Sequence, residues 1–89
     1  MAFEFDPAKS ARNRAAHGID FLEARALWND PDRIEIPARS TTEPRFMVIG
    51  RIDRKLWACV CTYRTQTIRL ISCRRARRDE IREYLDRRI

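Results

Sequence analysis

Tyr63-Arg64-Thr65-Gln66-Thr67-Ile68-Arg69-Leu70-Ile71-Ser72-Cys73-Arg74-Arg75-Ala76-Arg77-Arg78 is the stretch on which the fold turns. It opens on an aromatic residue and an arginine at a turn, runs through a short apolar strand carrying Arg69, and ends in four arginines before a helix. No acidic residue interrupts it. Thr65-Gln66 has the length of a two-residue hairpin turn, and that length sets a register in which Thr62 faces Arg69 and Arg64 faces Thr67. Arg64 and Arg69 then stand diagonally on one face, close enough to grip one phosphate. Strict alternation carries Arg75 onto that face and Arg74 onto the other.

Upstream, Arg45 to Ile52 and Leu56 to Tyr63 read as two long strands joined at Asp53-Arg54, and Arg33 to Ile36 as a shorter alternating one. Downstream, a helix starts near Arg77, with Ile81, Tyr84 and Leu85 as its apolar stripe and Glu80 as a capping residue. At the other end of the chain, Ala2-Phe3-Glu4-Phe5 alternates as a short strand. Asp6-Pro7 supplies an N-cap and a first helical position, and Gly18 a left-handed stop after His17. Ala8, Ala11, Ala15 and Ile19 are expected to form the buried face of this helix, with Lys9, Asn13 and His17 as a contiguous polar row.

Asp20 and Glu23 begin a second helix by a capping box. It runs through Leu22, Leu27 and Trp28, and its large apolar groups on both sides make it either deeply buried or reserved for a partner protein. The order is strand, two helices, four antiparallel strands, helix. It predicts an α+β domain spanning residues 1–89: an antiparallel sheet of four to five strands, two N-terminal helices and one C-terminal helix.

Eighty-nine residues build one core and leave no room for a separate catalytic domain. No apolar run is long enough to span a bilayer, and the early acids Glu4 and Asp6 do not suit a signal peptide, so a cytoplasmic protein without membrane contact is expected. Cys59, Cys61 and Cys73 lack the spacing of a metal site; they read as small apolar side chains, in keeping with a reducing compartment. The net charge is +6, and residues 64–89 hold nine arginines against four acids, so nearly all the excess lies in the last third. Clustered arginine, whose planar fork suits bidentate phosphate contacts, points to a polyanionic partner such as RNA or DNA.

The opening Phe3-Glu4-Phe5-Asp6-Pro7-Ala8-Lys9, the stretch Asn13 to Phe21, the block Arg45 to Arg51, and Thr62-Tyr63-Arg64 with Ile68 to Ala76 together resemble the BrnT family of toxins. The resemblance implies a RelE-like ribonuclease toxin held inactive by an antitoxin, BrnA, that carries a ribbon-helix-helix part, the complex binding its own operator DNA. Arg77 stands where the family usually has Thr, which removes a capping hydroxyl at a cost of about 1 kcal/mol.

Cutting RNA without a metal requires activation of the 2′-hydroxyl, stabilisation of charge on phosphorus, and protonation of the leaving 5′ oxygen. Arg64, Arg69, Arg74 and Arg75 are the candidates for the charge. His17 alone has an unperturbed pKa near neutrality, so it is either the proton-transfer group or a helix-end residue bonded to a carbonyl. Lys9, Arg45, Arg51 and Arg78 extend the basic surface. Tyr63 either stacks on a base or packs in the core, and its apolar neighbours favour packing. Leu22, Leu27 and Trp28, with the basic patch, are the expected antitoxin contacts. No cofactor or metal is expected. The competing reading is a non-catalytic nucleic-acid-binding or protein-interaction module.

Overall fold

A computed structural model describes residues 2–87. The elements are β1 (Ala2–Glu4), α1 (Pro7–His17), α2 (Phe21–Ala24), a 3-10 turn (Arg25–Asn29), β2 (Ile34–Ala38), β3 (Arg45–Ile52), β4 (Lys55–Arg64), β5 (Thr67–Arg75) and α3 (Arg78–Arg87). The strands form one sheet in the order β1-β5-β4-β3-β2. Three neighbouring pairs are antiparallel, but β1 lies parallel to β5, with Glu4 opposite Arg69. The sheet is therefore mixed rather than wholly antiparallel. A three-residue strand separated from its partner by most of the chain leaves no mark of direction in the sequence.

The caps form as the sequence predicts. Asp6 accepts from the Ala8 N–H at 2.8 Å, Pro7 opens α1, and Gly18 closes it at φ 81° with its N–H on the Arg14 carbonyl. Asp20 and Glu23 make a complete capping box, although the segment continues past Ala24 as 3-10 and not α-helix. Arg14 pairs with Glu23 and ties the two helices together.

One expectation fails on α1. Ala8, Ala11 and Ala15 are exposed, and the buried side chains are Ser10 and Asn13. The helix is held by polar contacts: the Ser10 hydroxyl accepts from the Phe21 N–H at 2.9 Å, and Asn13 bonds the backbone of Ile19 and Cys73. β1 pairs with β5 only as far as Arg69, so the outer edge of β5 beyond it is open. The Asn13 amide fills that opening at Cys73.

α2 and the 3-10 turn cover one face of the sheet, where Phe21 and Leu27 pack on Val48, Cys61, Ile68 and Leu70. On the opposite face Tyr84 and Ile81 of α3 pack on Ile34, Ile49, Leu56 and Ala58. Asp30 locks this end together, accepting from the Arg51 N–H (2.7 Å), the Asp32 N–H (2.9 Å) and the Tyr84 hydroxyl (2.8 Å). Leu85 remains exposed, so the C-terminal stripe is narrower than its sequence suggests.

The hairpin register agrees with the sequence reading: Thr62 pairs with Arg69 and Arg64 with Thr67. Farther along, Cys61 pairs with Leu70 but Val60 with Ser72, so Ile71 is an extra residue. This bulge shifts the alternation by one. Arg74 consequently shares the face of Arg69, and Arg75 turns to the other, the reverse of strict alternation. The same register places Cys59 opposite Cys73, and they are joined as a disulfide rather than packed as separate thiols. A spacing of fourteen residues cannot show such a partnership without the bulge. Cys61 stays free and buried, and burial pushes its thiol up to about 11.

Candidate nucleic-acid interface

α3 covers only one end of its face, and the hairpin end carries a row of polar side chains. Phe46 pairs with Cys61, which brings Arg45 beside Thr62; Thr62 pairs with Arg69, and Arg69 with Glu4. The row is thus Arg45, Thr62, Arg69, Glu4, across four neighbouring strands. With strands about 4.8 Å apart, Arg45 and Arg69 flank Thr62 at roughly 10 Å from Cα to Cα, and both side chains are long enough to converge over it. Thr62 is 1% exposed and donates its hydroxyl to the Pro44 carbonyl at 2.7 Å, so it forms a fixed floor. The Arg45 Nε is buried and has no hydrogen-bond partner among the described residues.

Arg64 stands in the next row. Its Nη1 lies 3.4 Å from Glu4 Oε1, and Arg69 Nη1 lies 3.7 Å from Glu4 Oε2. Arg64 also bonds Glu43 of the loop before β3 at 3.2 Å. Glu4 and Glu43 were invisible as site residues in the sequence. The alternation of β1 does put Glu4 opposite the face of Phe3 and Phe5, but only the β1 to β5 pairing brings it to the arginines. All three members of the Glu4, Arg64 and Arg69 group keep about a third to a half of their side chains in solvent. The contacts among them are consequently exchangeable.

Arg74 borders this face but is committed. Its two terminal nitrogens bond both oxygens of Glu80 at 2.8 Å, and Glu80 also accepts from the Arg77 N–H at 2.8 Å. The bond from Arg74 holds Glu80 below the usual carboxylate range, against burial and with help from Arg77. This couple caps α3. Arg78 is exposed in the first turn of that helix.

The other predicted site residues lie elsewhere. Arg75 sits on the helical side, its guanidinium 5.5 Å from the centre of the Trp57 ring. On the partner strand it is five positions from Arg69, Trp57 against Thr62, roughly 17 Å by the rise per residue. Gly18 and Ile19, just after His17, line a cavity of about 530 Å³ with Arg54, Lys55 and Trp57. Trp57 pairs with Arg75, so the His17 end of α1 lies at the far end of β5 from Arg64. His17 and Lys9 are exposed one turn to either side of Asn13, and no hydrogen bond or ion pair joins either to the Arg64 and Arg69 group among the described residues. Arg51 stacks on Tyr84, 5.9 Å from its centre, under α3.

Tyr63 is 41% exposed and packs against Phe46 on the helical side. Burial, then its hydrogen bond to Glu35, push its hydroxyl well above the ordinary phenol range, with Trp28 opposing. Leu27 is fully buried, Trp28 packs edge-on against Phe3, and Leu22 is 55% exposed. Of the three apolar residues marked for a partner, Leu22 is the one on the surface.

An open sheet face carrying Arg45, Arg64 and Arg69 can bind successive phosphates of a single strand, and its arginines can steady charge on one of them. No curated protein matches the chain. A family model described as the ribonuclease toxin BrnT of type II toxin-antitoxin systems matches residues 5–80. That span takes in α1, α2, β2 to β5 and the start of α3, and the chain therefore belongs to the BrnT family of ribonuclease toxins.

Proposed function

We propose that the protein is a metal-independent endoribonuclease that cuts mRNA in the cytoplasm and so inhibits translation, with Arg64 and Arg69 binding the phosphate at which cleavage occurs. The observation that carries this reading is their diagonal placement on the uncovered face, with Arg45 across the Thr62 floor. The arginines supply the positive charge that phosphoryl chemistry elsewhere takes from a metal ion.

Family membership implies an antitoxin. We infer a BrnA-like ribbon-helix-helix protein that covers the basic face with acidic side chains and Leu22 with apolar ones, and that links the complex to its operator DNA. The deciding measurement is cleavage of a defined RNA in EDTA, with and without added ribosomes. Wild type is expected to cut, and Arg64→Ala to lose about 10²- to 10³-fold in turnover while remaining folded. Salt-sensitive RNA binding without cleavage under either condition would favour the binding-module reading instead.

A further inference from the structure

We propose that Glu4 is the general base of the reaction, the group that takes the 2′-hydroxyl proton; this rests on the ribonuclease reading above. Among the described residues, Glu4, Glu43 and Glu80 are the carboxylates paired with Arg64, Arg69 or Arg74, and their bonding separates them. Glu80 is saturated by both nitrogens of Arg74 and by the Arg77 N–H. Glu43 sits on a loop and is hydrogen-bonded to Arg64 at 3.2 Å. Glu4 is different: its contacts of 3.4 Å to Arg64 and 3.7 Å to Arg69 are ion pairs, longer than hydrogen bonds. Its oxygens therefore keep lone pairs able to accept a hydroxyl proton.

Placement supports the same role. Glu4 is held by a strand whose register with β5 sets it directly beside Arg69. One oxygen faces Arg64 and the other Arg69, so a phosphate bridging the two arginines lies next to the carboxylate. That is where the 2′-hydroxyl of the ribose joined to this phosphate through its 3′ oxygen must be deprotonated. The charged groups facing Glu4 are Arg69 of β5 and Arg64 of β4, the latter shared with Glu43 from the loop before β3. On the α1 side, the neighbouring carboxylate Asp6 is turned to the Ala8 N–H.

In the step assigned to it, Glu4 takes the proton from the 2′-hydroxyl, the 2′ oxygen bonds to phosphorus, and the bond from phosphorus to the 5′ oxygen breaks. The 5′ oxygen leaves as an alcohol after taking a proton from water, and protonated Glu4 returns its proton to solvent. The products are a 2′,3′-cyclic phosphate and a 5′-hydroxyl end.

The test is the pH dependence of kcat for wild type, Glu4→Gln and Glu4→Asp on the RNA that wild type cuts, with product ends determined and folding checked by circular dichroism. Glu4→Gln is expected to lower kcat about 10²- to 10⁴-fold and to abolish the acidic limb of the profile. Glu4→Asp, which keeps the charge, is expected to be slower than wild type but to retain that limb. A Glu4→Gln loss equal at every pH would make Glu4 a positioning residue for the arginines and overturn the assignment, as would an unchanged rate or an Asp variant lacking the limb. Failure of wild type to cleave any RNA would overturn the ribonuclease reading and this one with it.

Discussion

Asn13 completes the hydrogen bonding of Cys73: its amide nitrogen donates to the Cys73 carbonyl at 2.8 Å, and its oxygen accepts from the Cys73 N–H at 3.1 Å, both within the buried interior. The second amide hydrogen goes to the Ile19 carbonyl at 2.8 Å. One side chain thus does at the edge of β5 what a longer β1 would do. Asn13→Ala leaves two backbone carbonyls and one N–H without partners, and a loss of about 2–4 kcal/mol is expected. Urea unfolding should show a lower midpoint at an unchanged slope.

Acid should weaken the fold through two carboxylates. Burial by itself raises Asp30, but hydrogen bonds from Arg51, Asp32 and Tyr84 outweigh it and hold the group below its ordinary value. Glu80 is held down by Arg74 despite burial. A carboxylate depressed in the folded state contributes fully above its unfolded pKa of about 4, and that contribution is lost as pH falls through the folded value. Stability should therefore fall from about pH 4 downward, and Asp30→Asn and Glu80→Gln should each flatten that part of the curve. Unfolding midpoints taken at a series of acidic pH values check this.

RNA affinity should read out which arginines share a face. Removing both Arg64 and Arg69 is expected to reduce the slope of log affinity against log salt by about 0.7 for each phosphate that the protein no longer neutralises. Arg75→Ala, on the other side of the sheet, should leave turnover within about twofold of wild type, as a substitution outside the site does. Filter binding and cleavage assays on the same RNA separate the two cases. A large turnover loss with Arg75→Ala would count against the site as drawn.

Gly50 is a matter of space. A Cβ there would stand 3.1 and 3.2 Å from the Leu27 side chain and 3.3 Å from the Arg33 Cβ. Leu27 is fully buried and cannot swing aside. Gly50→Ala is expected to destabilise by about 1–3 kcal/mol through overpacking, measured as a fall in Tm.

Much of the fold and part of the candidate site's geometry were legible in the sequence, and what was not has two causes. The caps at Asp6, Gly18, Asp20 and Glu23, and the Thr65-Gln66 turn, are local chemistry, so a few adjacent residues determine them. The diagonal placement of Arg64 and Arg69 follows from turn length alone. Three further features depend on residues far apart: the direction of β1, the edge role of Asn13, and the juxtaposition of Cys59 and Cys73. A fourth needs one residue too many. With Ile71 bulged, alternation counted forward from Arg69 assigns Arg74 and Arg75 to the wrong faces. The place of Glu4 beside Arg64 and Arg69 was hidden for the first of these reasons, since only its partner strand reveals its neighbours.

The strand order also bears on synthesis. β5 lies between β1 and β4, so Glu4 meets Arg69 only when β5, made well after β1, slots into the sheet. A nascent chain still lacking residues 67–75 has β1 without its partner, the Asn13 amide without its mate, and Arg64 without Arg69 beside it. The face proposed to cut RNA thus cannot form until residues 67–75 are available to pair with β1 and β4. A truncated product that ends before β5 therefore carries no such face.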